Sequence, residues 1–151
     1  MRMTPLELLI QGIPEVIAGV ALCFALAGVG LKWRHIVPLG VAGAVAIYLI
    51  RLLPLPFGVH AIILYVFLAG YLRLVFRITV LRALYAGFIV IGLVILFESV
   101  CTVTLFKVTG LSYAQVKTNR LLWALFGWPQ VVLLFASAFL VEYLRRRYGR
   151  K

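Results

Sequence analysis

The chain has four acidic residues, all glutamates, and two of them, Glu15 and Glu98, lie inside stretches hydrophobic enough to cross a membrane. A carboxylate within a bilayer costs roughly 2.5–3.5 kcal/mol on insertion scales, so it faces a partner or a cavity. The chemistry open to it is proton carriage, cation binding or ion pairing. Arg51, His60 and Gln130 are polar side chains set in or at the ends of other apolar stretches, and with Glu15 and Glu98 they form the candidate ligand-binding set. One histidine with two distant carboxylates does not make a metal site. HExxH, GxSxG and Walker signatures are absent, and His35 and His60 are not placed to hold a haem across two helices. The expectation is therefore a non-enzymatic protein without a metal or cofactor.

These residues must be positioned by membrane helices. The chain is 151 residues long and 65% hydrophobic, with a mean hydropathy of +1.13. A soluble domain is about 45–50% apolar, so the sequence is that of an integral membrane protein, and its length allows one domain with a handful of spans. A formal charge of +11 would suggest nucleic acid in a soluble protein. Here the basic residues gather at span ends, where they set orientation and touch anionic headgroups, and no nucleic-acid surface is expected.

Five apolar segments are expected to span, at about 6–31, 36–53, 57–76, 80–106 and 121–144, giving an all-α, five-transmembrane-helix bundle. Pro54 and Pro56 close the second. A single helix from Phe57 to Phe106 would be about 75 Å long against a hydrocarbon core of about 30 Å, so the chain must turn. Arg73, Arg77 and Arg82 mark that turn, with Thr79 as its N-cap. Ser112 and Gln115 match a capping box and predict a short interfacial helix on the outer surface. Small residues, among them Gly40, Gly43 and Ala44, favour close packing of the bundle. Cys23 and Cys101 fall at different depths and are not expected to pair.

Placing the N-terminus outside puts ten of the 15 lysines and arginines on the inner side, including Lys32, Arg34, Arg73, Arg77, Arg82 and the tail from Arg145 to Lys151. Arg2, Arg51, Lys107, Lys117 and Arg120 then lie outside, so the expected topology is N-out and C-in, in the cell membrane. Every span then carries a polar side chain in its outer half: Glu15, Arg51, His60, Glu98 and Gln130. The inner half, from about Val20 to Gly30, Ala61 to Gly70, Ala83 to Ile95 and Val131 to Val141, has only Cys23, Tyr65, Tyr85 and Ser137 as hydrogen-bonding side chains of note. That asymmetry predicts a polar pocket near the outer surface. Pro129 frees the carbonyl of Leu125 and kinks the fifth span beside Gln130. Pro14 stands in the same relation to Glu15 and either does the same to the first span or, being near the helix start, leaves it undisturbed; the pairs Pro14-Glu15 and Pro129-Gln130 would frame the pocket. Each member also has a plainer reading. Glu15 and Arg51 fit an internal ion pair that fixes helix register, Arg51 fits a snorkelling side chain, and His60 fits an interfacial histidine.

The runs Leu8-Leu9-Ile10-Gln11-Gly12-Ile13-Pro14-Glu15, Tyr48-Leu49-Ile50-Arg51-Leu52-Leu53-Pro54 with Phe57-Gly58-Val59-His60, and Gly127-Trp128-Pro129-Gln130 resemble the multi-pass N-terminal sensor regions of Firmicutes histidine kinases of the GHKL, quorum-sensing-receptor-like type. The resemblance implies a sensor-like membrane module. On this resemblance the chain is expected to be a sensor-like module without its kinase, which would phosphorylate nothing alone. Three functions are expected in order: a sensory or regulatory module with a ligand or proton pocket, a small transporter or channel subunit coupled to protons or cations, and a structural subunit of a larger membrane complex. The basic tail is expected to meet anionic headgroups or a cytoplasmic or membrane protein partner, and a homo-oligomer is compatible with all three.

Overall fold

The computed structural model describes residues 4–56 and 58–149. Among the described residues the fold is all-α, with helices α1 (Pro5–Ala27), α2 (Trp33–Arg51), α3 (Val59–Phe76), α4 (Val80–Thr109), α5 (Tyr113–Thr118) and α6 (Arg120–Tyr148). All but the short α5 are long and apolar enough to cross a membrane, the arrangement of a multi-pass membrane protein. The expected start of the third span at Phe57, and the charges of Arg2, Arg150 and Lys151 used to orient the chain, lie outside the described residues.

The helix ends have local causes. Gly28, at φ 80°, stops α1 four residues before the expected end at Leu31. Its N–H bonds the carbonyl of Ala25, and that of Val29 bonds Phe24, at 3.1 Å each. This is a Schellman motif, which needs the left-handed conformation that glycine adopts without a Cβ penalty. Thr79 has the extended backbone of an N-cap but makes no side-chain capping bond. The turn before it is closed instead by Arg77 in the left-handed region and by Arg73, which donates to the Ile78 carbonyl at 3.2 Å. The capping box at Ser112 and Gln115 forms, with bonds of 2.9 and 3.3 Å, and starts α5.

Pro14 disturbs the first span, the first of its two readings. Because α1 begins at Pro5, under a second capping box between Thr4 and Glu7, the proline falls well inside the helix. It removes a backbone donor and crowds the preceding turn. The helix absorbs this as a π-turn over Leu8–Gly12, where Ile13 N–H reaches back to the Leu8 carbonyl. Such single-turn widenings re-aim the side chains around them, here Gln11 and Glu15.

Helix α1 is the centre of the bundle. It packs against α2, α4 and α6, while α3 leans on α4 and touches α2 only thinly. Val20, Leu22 and Phe24 of α1 are shut from solvent with Leu72 and Leu134. Many large apolar side chains point outward instead, such as Phe67, Leu74 and Phe88 on α3 and α4. An apolar exterior of this extent matches lipid rather than water. Contacts such as Arg51 with His60 gather the α1 start, the α2 end and the α3 start at one end of the bundle, and contacts of Gly28 with Arg82 and Arg145 gather the opposite ends at the other.

Candidate functional site

Among the described residues, the buried polar side chains are Gln130 and Glu142, both on α6. They lie 12 residues apart, about 18 Å along the helix axis. Each ties α6 to the region of α1, one at each end of the bundle.

Gln130 follows Pro129, inside the helix as expected. Its amide nitrogen donates to Glu15 Oε1 at 3.3 Å and to the Val94 carbonyl at 3.5 Å, linking α6 to both α1 and α4. Both bonds are long for N–H···O contacts, so the amide straddles its acceptors rather than clamping them. Glu98, one turn beyond Val94, is exposed but lines a small cavity of about 40 Å³ with Gln11, Thr102, Phe126, Gly127 and Gln130. Gln11, swung by the π-turn, lies flat on the backbone at Gly127, where any larger residue would meet its side chain. The structure thus brings Glu15, Glu98 and Gln130 together, adds Gln11, and makes Gln130 the hub.

Arg51 and His60 form a second group. The Arg51 guanidinium donates to His60 Nε2 at 3.2 Å across the α2–α3 connection. A guanidinium only donates, so Nε2 accepts and the imidazole is neutral with its proton on Nδ1.

The other end holds what sequence reasoning missed. Glu142 accepts from Arg145 at 2.9 Å and from Arg146 at 2.8 Å. Arg145 also donates to the carbonyl of Gly28, the residue that ends α1. Arg147 bonds the Tyr143 hydroxyl at 2.9 Å. The three consecutive arginines are thereby engaged by their own helix. The signal was present: Glu142 precedes Arg145 and Arg146 at the i+3 and i+4 spacings that meet on a helix. The polar asymmetry between halves also ended one residue short of it. His35 Nδ1 bonds the Tyr71 hydroxyl at 2.7 Å in the same region. Ser99 and Ser137 return their hydroxyls to Ile95 and Leu133 of their own helices, which satisfies them locally. Cys23 and Cys101 are both buried free thiols.

Among the described residues no group of three or more His, Cys, Asp or Glu side chains converges as a metal-ligand set would. Compared with known proteins, the chain matches no family model, no curated protein and no solved structure. The functional reading rests on the geometry.

Proposed function

We propose that the protein is a non-enzymatic, membrane-embedded regulatory or sensory module whose outer-half polar site takes a small monovalent cation or a proton. The observation that carries this is Gln130: buried, bonded to two neighbouring helices and forming part of the wall beside Glu98. A cavity of about 40 Å³ exceeds the minimum for one ordered water, about 10–15 Å³, and is too small for an organic ligand. A cation entering the cavity beside Glu98 draws on the Glu15 carboxylate held behind Gln130 and competes with Gln130 for it. Helix α6 then loosens at its outer tie, beside Pro129, while its inner tie at Gly28 holds. Regulation is favoured over transport because Ala21, Leu22, Cys23 and Phe24, each no more than 1% exposed, close the centre of the bundle below the site.

The test is thermal unfolding of the detergent-purified protein at constant ionic strength, with choline exchanged for sodium, potassium or ammonium. One of the small cations raises stability, by about 2.7 kcal/mol at a hundred times its dissociation constant, and Glu98→Gln or Glu15→Gln removes the response. Identical curves in all four salts and at acid and neutral pH remove the site. Cation flux in proteoliposomes that Glu98→Gln abolishes makes the protein a transporter instead.

A further inference from the structure

The thin contact between α2 and α3 leaves a lateral groove of about 290 Å³, lined by Leu39, Gly43, Ala46 and Ile50 of α2 and by Leu64 and Phe67 of α3, among others, with Val20 of α1 as its floor. His60 is the polar group in its wall, at the end where Arg51 is hydrogen-bonded to it. We infer that this groove is a binding site for one anionic phospholipid, with an acyl chain along the groove and the phosphate on Arg51.

Three observations point to that occupant. The groove runs from Leu39 to Ile50, about 17 Å of helix at 1.5 Å per residue, and half of a hydrocarbon core of about 30 Å is one leaflet. A single acyl chain therefore fits it end to end. The lining is apolar along this length, with its cationic partner at the mouth and not along the wall. An acyl chain gains little by leaving bulk lipid for an apolar groove, so selectivity must come from the headgroup. Arg51 supplies it: the fork of five donors suits a phosphate, and His60 holds the guanidinium beside the groove at 3.2 Å. The α3 N-terminus starts at Val59 without a side-chain cap at Gly58, so the positive end of its dipole faces the same place. This site is separate from the Glu98–Gln130 cavity and does not depend on it.

Native mass spectrometry of the full chain, released from micelles doped with dioleoyl phosphatidylglycerol or dioleoyl phosphatidylcholine, tests the inference. The wild type retains one phosphatidylglycerol about tenfold more than phosphatidylcholine, the ratio one charge-assisted contact supplies. Arg51→Gln reduces retention of the anionic lipid to the level of the zwitterionic one. Ala46→Phe, at an exposed position in the groove wall, does the same by filling the space for the chain. Equal retention of both lipids by the wild type overturns the proposal. So does undiminished phosphatidylglycerol binding in Arg51→Gln, and undiminished binding in Ala46→Phe reduces the site to a surface charge contact.

Discussion

Glu142→Ala lowers the stability of the purified protein by about 2 kcal/mol, the largest loss expected from any single polar substitution. The Glu142 side chain is 7% exposed and accepts from two arginines, one of which also donates to the Gly28 carbonyl. Removing one partner of a fully buried ion pair costs about 3–5 kcal/mol because a charge is stranded. Here the Arg145 and Arg146 side chains keep 36% and 76% of their exposure, so both can turn towards water and the cost falls nearer the 1.5–3 kcal/mol of charged hydrogen bonds. Arg146→Ala, removing the more exposed partner, costs under about 1 kcal/mol. Arg145→Lys is not conservative, since an ammonium cannot serve carboxylate and carbonyl in the same fork geometry. Detergent unfolding of the three variants gives the order Glu142→Ala, then Arg145→Lys, then Arg146→Ala. If the first and last are equally mild, the Glu142 tie contributes nothing and α6 is held by packing alone.

The elements were legible because a bilayer dictates length: about 20 apolar residues between charged or proline-rich breaks can be read directly from sequence. Local chemistry was legible where a few adjacent residues decide it, as in the Ser112–Gln115 box. Partner choice was not. Depth along a span places Glu15 level with several polar groups, but which one it meets depends on helix rotation, at 100° per residue, and on neighbour order. The sequence admits Arg51 as a partner for Glu15; the hydrogen bond observed goes to Gln130, and Arg51 bonds His60 across a short loop. Gln11 was invisible as a site residue because its aim depends on the π-turn that Pro14 provokes. Glu142 was missed for a different reason. Grouped with the tail it disappears into a positive charge count, whereas its spacing to Arg145 and Arg146 marks a local pair.

Gly40→Val separates α1 from α2 and costs about 1–3 kcal/mol, the range of overpacking in a close-packed interior. A Cβ at Gly40 would lie 2.8 Å from the Cα of Ile17. That neighbour is backbone, so no rotamer change relieves the contact and one helix must move. Gly43 is less strict, because its nearest obstacle is the flexible Leu64 side chain at 2.8 Å. Gly92, on α4, has nothing within 4 Å, and Gly92→Ala does not destabilise, gaining up to about 1 kcal/mol of helix propensity. The comparison separates packing from composition: glycines scattered for membrane-helix character respond alike, and glycines placed for contact do not. Gly40 also tests the link between scaffold and site. Moving α1 away from α2 at Ile17 shifts Glu15, two residues earlier on α1, relative to Gln130 on α6, while leaving every polar residue in place. Under the proposed function Gly40→Val therefore loses the stabilisation by small cations, although Glu15, Glu98 and Gln130 are intact. A variant that is destabilised as expected but keeps its full cation response would show that the site tolerates displacement of α1, and the long Gln130 bonds would then not be what couples cation binding to the bundle.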